Sequence, residues 1–154
     1  MKMDGNIRVA TEAKYKELYN NIKNNCAVDD FHELFFLCAC IGYRRGIQTP
    51  LKKRDDRFWS RTITPREWSC FYAMILEKNA FDYEKVSDDK GVLAAIEGYA
   101  NAGMDILIDE FLCDYLLPAS KSSDPQLDPT CCKELPKQFV HFIFEQSESE
   151  NWDS

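Results

Sequence analysis

Residues 44–66 read RRGIQTPLKKRDDRFWSRTITPR and hold eight basic side chains: Arg44, Arg45, Lys52, Lys53, Arg54, Arg57, Arg61 and Arg66. Asp55 and Asp56 are the only acids among them, so the segment carries +6 in a chain of net charge −7, leaving −13 for everything outside it. Guanidinium forks and ammonium groups gathered on one connection attract phosphate or an acidic protein surface. Phe58 and Trp59 lie among them, and exposed aromatics beside cations stack on bases or fill a partner's pocket. The competing reading is a solvated loop whose arginines pair with the acidic remainder of the fold, with Phe58 and Trp59 turned inward as anchors.

Other residues could do chemistry of their own. Asp55 and Asp56 beside Lys52 and Lys53 have the composition of a metal-dependent nuclease site, but neighbouring carboxylates on an irregular chain point in different directions, and no Asp/Glu-x-Lys pattern follows on a strand. Asp105 and Asp109 stand four apart on a helical pattern, where a solvated face is the commoner reading. His32 begins an apolar helix next to Glu33, and His141 sits in an apolar run; each is more often a surface or satisfied core residue than a catalyst, and nothing local marks a Cys–His pair such as Cys38 with a distant histidine. Cys131 and Cys132 are adjacent and lack the two-residue gap of zinc knuckles. Gly42 and Gly46 lack the strand and the Lys-Ser/Thr ending of a phosphate-binding loop. No catalytic residue, no metal site and no cofactor is expected, and binding is the better class.

These residues must be carried by a fold that the pattern describes as mainly α: one domain, a bundle of four to five helices, with a short hairpin or extended element at 57–63. A chain of 154 residues buries roughly 70% of its unfolded surface, enough for a core without staples. Residues 1–10 read as frayed, and 11–117 as the helical domain. Within it the spacing predicts a helix over 11–25 capped by Thr11, and a second from Asp30 with Glu33 closing a capping box and Gly46 as the stop. A third starts at Pro65, where Thr64 caps and Glu67 reaches back. A turn or bend at 81–86 leads to a fourth over about 88–117 capped by Ser87. Gly98 and Gly103 each weaken that helix by about 1 kcal/mol relative to alanine. They predict a break or kink near Gly103, the alternative being close approach of another helix. Residues 118–130 read as a Pro/Ser-rich linker, 131–145 as a docking segment, and 146–154 as an acidic, disordered tail. The seven cysteines mostly lie in apolar runs and are expected as buried thiols. With no leader-like or membrane-length apolar run, the chain is expected to be soluble and cytoplasmic, with no membrane partner.

Two phrases carry more. Residues 39–51 read ACIGYRRGIQTPL and residues 97–107 read EGYANAGMDIL. Their content and order resemble the small accessory proteins associated with bacterial DNA phosphorothioation (dnd) systems, over roughly residues 31–117. The cysteine-rich second helix and the part after Pro118 depart from that pattern. The resemblance implies a helical accessory subunit in anti-phage defence whose partner is a larger defence protein, and supplies no catalytic residue. The sequence therefore leaves two functions: an adaptor that binds a partner protein through Arg44, Arg45, Lys52, Lys53, Arg54, Arg57, Trp59, Arg61 and Arg66, or a DNA-binding module that sets the same residues on phosphate. Either predicts that changing Arg54, Arg57 and Arg61 together to Glu abolishes binding without unfolding the protein.

Overall fold

The computed structural model describes residues 4–25, 27–118, 124–131 and 133–152, with the backbone alone for 131 and 147–152. Among the described residues the fold is mainly helical, with five α-helices: α1 (Lys16–Asn24), α2 (Phe31–Arg45), α3 (Pro65–Lys78), α4 (Asp89–Glu110) and α5 (Leu135–Trp152). Two strands, β1 (Arg8–Glu12) and β2 (Arg54–Trp59), pair antiparallel.

The α2/α4 pair is the centre of the molecule, and glycine makes it possible. A Cβ added at Gly42 would lie 2.0 Å from the carbonyl oxygen of Tyr99, and one added at Gly103 would lie 1.7 Å from that of Cys38. The helices thus run antiparallel with backbone against backbone, one such contact per turn on each, which only a missing side chain permits. The expected break near Gly103 is not there: α4 continues through it to Glu110. Packing against α2 compensates for the glycine's low helix propensity.

Around this pair the apolar faces close a single core. It takes Leu18, Tyr19 and Ile22 from α1, Trp68, Phe71 and Ile75 from α3, Val9 and Phe58 from the strands, and Leu135, Phe139 and Phe142 from α5. Phe35 meets Phe58 and Phe71 edge-on, and Phe111 stacks on Phe142, where edge and offset geometries suit the ring quadrupoles.

Several local expectations are met. Thr64 accepts from the Glu67 amide, and Glu67 accepts from the Thr64 amide, which closes the capping box behind Pro65. Gly46 ends α2 in the left-handed region at φ 69°. Residues 83–86 form a 3-10 turn inside the segment expected to bend.

Others are corrected. Arg8–Glu12 is a strand, not a frayed end, because β2 pairs with it across more than forty residues. Thr11 therefore lies in β1, and α1 starts only at Lys16 after a 3-10 turn at Ala13–Tyr15. The extended element is 54–59, shifted from 57–63, and is half of a long-range ribbon; Ser60–Thr62 is a 3-10 turn. Asp30 stands at the N-cap of α2 without a side-chain cap bond. Asp88, not Ser87, caps α4 by accepting from the Lys90 amide. Helix α4 stops at Glu110, and Leu112–Tyr115 is a 3-10 turn. In the proline-rich segment, Leu127 is buried and bridges to Leu116, so that part lies on the body; residues 119–123 are outside the described residues. Helix α5 runs on to Trp152 through most of what was read as a tail; residues 153–154 lie outside the described residues. Cys38, Cys40, Cys70 and Cys113 are free thiols, with Cys38 buried.

Candidate basic surface

The eight basic side chains divide into two sets. Four are drawn into the protein's own interactions. Arg45 forks onto Glu110 of α4 at 2.6 and 2.8 Å. Arg44 donates to the Gln146 carbonyl of α5 at 2.6 Å. Arg54 forks onto Glu97 at 2.9 and 3.1 Å. Arg57 is buried: its Nε donates to Thr11 Oγ1 at 2.9 Å, its NH2 lies 3.0 Å from Asp55, and its guanidinium sits over the Tyr19 ring. The segment's +6 is therefore not presented whole on one face.

Glu97 explains where Arg54 is held, although the Arg54 side chain itself stays exposed. Its carboxylate, with a side chain 4% exposed, also accepts the Ala10 amide of β1 at 2.7 Å. A buried carboxylate needs charge and donors together, and Arg54 and β1 supply them. Glu12 does the same for the connection, accepting the Lys52 and Lys53 amides at 3.0 and 2.8 Å. Two carboxylates thus fix the β ribbon and the basic connection onto α4.

Lys52, Lys53, Arg61 and Arg66 form the second set. All four are exposed and make no ion pair among the described residues. Trp59 projects from β2, 37% exposed, while its neighbour Phe58 is buried in the core. The guanidinium carbons of Arg61 and of Arg8 each lie 4.6 Å from the Trp59 ring centroid, in cation–π range. Arg8, outside the basic segment, was missed at the sequence level; it reaches this site because its partner across the ladder is Trp59. Arg66 lies in the first turn of α3, where the helix dipole does nothing to hold a cation inward.

The other candidates are dispersed or held. Asp55 faces Arg57, and Asp56 lies 3.7 Å from Arg8, so the adjacent acids do not converge. Asp105 accepts from the Tyr15 hydroxyl, and burial raises its carboxyl above the ordinary value. His141 pairs with Glu145 at 2.9 Å on the exposed side of α5. Asp30, His32 and Glu33 bring ligand atoms within 4.8 Å of one another, and are the one such group among the described residues that could hold a metal. His32 Nδ1 lies 2.8 Å from Glu67, a contact that orients the ring. Burial pushes the thiols of Cys38 and Cys40 up, Cys40 to about 12, which leaves them protonated and poor nucleophiles.

The two phrases behind the family resemblance meet in space. Gly42 rests on Tyr99, Gly103 on Cys38, the Thr49 amide donates to the Gly98 carbonyl, and Asn101 donates to the Thr49 carbonyl at 3.0 Å. Their residues build the helix pair and dock the connection on it. No helix among the described residues is long and apolar enough to cross a membrane. Comparison of the chain with models of known protein families, with curated proteins and with solved structures found no match.

Proposed function

We propose that the protein is a non-catalytic adaptor of a bacterial anti-phage defence system, which docks on an acidic surface of a larger partner protein through Lys52, Lys53, Trp59, Arg61 and Arg66. The observation that carries this reading is the half-open indole of Trp59 beside the Arg8 and Arg61 guanidiniums, on a strand whose first residue, Arg54, is tied to α4 through Glu97. An aromatic anchor with arginines beside it, held rigid before binding, has the composition of an interface hot spot. The defence context rests on the resemblance of residues 39–51 and 97–107, which form one packed unit.

Arg44, Arg45, Arg54 and Arg57 act in this reading through the fold. They hold the connection in place and are not contact residues. Changing Arg54, Arg57 and Arg61 to Glu would therefore confound binding with unfolding. The cleaner variant is K52E/K53E/R61E, which touches exposed groups only.

DNA binding is the second reading, favoured by the same Trp59 with its flanking arginines, a composition that stacks on bases and clamps phosphate. A titration of bare duplex against the protein over a range of salt separates the two. A DNA module shows log affinity falling linearly with log salt. The adaptor shows no saturable duplex binding and instead captures a protein partner, in a manner that K52E/K53E/R61E abolishes.

A further inference from the structure

The start of α2 sets one histidine among three carboxylates. Asp30 stands at the N-cap, His32 and Glu33 follow in the first turn, and Glu67 reaches His32 from the first turn of α3. The His32 side chain is only 12% exposed.

Glu67 fixes the ring. Its Oε1 accepts the Thr64 amide at 2.9 Å and lies 2.8 Å from His32 Nδ1. A carboxylate accepts here, so the ring proton sits on Nδ1. Nε2 is left with its lone pair, and it takes part in no hydrogen bond among the described residues. Its charged neighbour is Asp30 Oδ2, 3.8 Å away. Asp30 forgoes the cap bond that its position offers, which leaves its side chain free for this approach. Two acceptors turned toward one another repel unless a cation lies between them. Glu33 supplies a third ligand atom, and all three lie within 4.8 Å of one another.

We infer that Asp30, His32 and Glu33 bind a divalent transition metal of the zinc class, through Nε2 of His32 and one oxygen of each carboxylate, with Glu67 as the group that positions the imidazole. A carboxylate behind the far ring nitrogen is how proteins orient a ligating histidine. The imidazole favours zinc over magnesium or calcium, which take oxygen alone. Ligand atoms about 2.0–2.2 Å from a tetrahedral zinc lie about 3.4 Å apart. Asp30 is exposed and can turn through the small remaining distance. Three protein ligands leave a fourth position for water, and Asp30 and His32 open on a cleft of about 340 Å3 that can admit it. The helix dipole opposes a cation at this end by about two- to fivefold in affinity, less than any one ligand contributes. The site is separate from the docking surface, because none of Lys52, Lys53, Trp59, Arg61 or Arg66 belongs to it.

The chain has two histidines, His32 and His141, so NMR of the ring nitrogens reads each of them. The full chain is stripped of metal with a chelator and titrated with zinc near neutral pH. Before zinc, the His32 ring is expected to carry its proton on Nδ1. With zinc, its Nε2 signal should move and saturate, while the His141 ring, paired with Glu145, stays in place. Zinc taken up by cysteines leaves this readout unchanged. Asp30→Asn and Glu33→Gln, which alter ligands, should each weaken the His32 response about tenfold or more in zinc affinity. Glu67→Gln keeps an acceptor for the capping box and should weaken it about 10–100-fold. K52E/K53E/R61E should respond as the wild type does. Circular dichroism of each variant establishes that it is folded. The inference is overturned if zinc leaves the His32 ring unmoved, if both its nitrogens stay protonated as zinc is added, or if folded Asp30→Asn and Glu33→Gln respond with wild-type affinity.

Discussion

Alanine at Gly103 tests the central packing of the molecule, because intrinsic propensity and tertiary structure predict opposite signs. Alanine inside a helix gains about 1 kcal/mol over glycine. At Gly103 the new methyl would meet the Cys38 carbonyl at 1.7 Å, against ordinary contact that begins near 3.4 Å, so α2 would have to withdraw by about 1.7 Å. Backbone cannot step aside as a side-chain tip can, and overpacking of this kind costs about 3 kcal/mol. Subtracting the regained propensity leaves a net loss of about 2 kcal/mol, a fall in Tm of about 4–8 °C at this chain length. Gly98, five residues earlier on the same helix, is the control. Its added Cβ meets only the Gln48 side chain at 3.6 Å, an ordinary contact. Gly98→Ala should therefore keep the propensity gain and raise Tm by about 2–4 °C. Gly42→Ala forces the same two helices apart at Tyr99, so G42A/G103A should cost less than the two single losses combined. Thermal and urea unfolding of the four variants reads all of this. If Gly103→Ala matches or exceeds the wild type in stability, the backbone-to-backbone contact of α2 and α4 is refuted.

Further outcomes follow from single residues. Arg54→Ala leaves the buried Glu97 carboxylate with only the Ala10 amide, and should cost about 2–3 kcal/mol in urea unfolding; an unchanged midpoint would contradict the ion pair. The raised Asp105 carboxyl binds its proton more tightly in the folded chain than in the unfolded one. Its contribution to stability is thus greatest at low pH and is lost as pH rises from about the ordinary 3.8 through the folded value. Asp105→Asn should accordingly gain on the wild type at pH 7 and lose that advantage below pH 4, which unfolding at the two pH values would show. Cys40 should resist iodoacetamide at pH 8 in the native protein and react once unfolded, as peptide mapping by mass spectrometry can follow. Ala80, left-handed at φ 52°, should tolerate glycine with a gain of up to about 1 kcal/mol.

What the sequence disclosed depended on how local the determining contact was. Thr64-Pro65-Arg66-Glu67 contains its whole capping box, and Gly46 needs only its own backbone angle, so both could be read directly. Residues 8–12, RVATE, carry too little apolar alternation to mark a strand; β1 exists because β2 and the Glu97 carboxylate satisfy its two edges. Gly103 was ambiguous for the same reason, since the Cys38 carbonyl that explains it lies on another helix. The basic segment was visible as charge, but its division was not. Arg54 answers Glu97, forty-three residues away, and Arg57 is buried against Thr11 and Tyr19, which no count of cations within 44–66 could reveal.

The proposed docking surface is tested most directly by immobilising the wild type, Trp59→Ala and K52E/K53E/R61E, each checked for folding, and measuring how strongly each holds the partner captured from a lysate of the source organism as salt is raised. Partner bound by the wild type, weakened by added salt, reduced for Trp59→Ala and absent for the triple variant is the predicted result. Undiminished, salt-indifferent capture by the triple variant would contradict it.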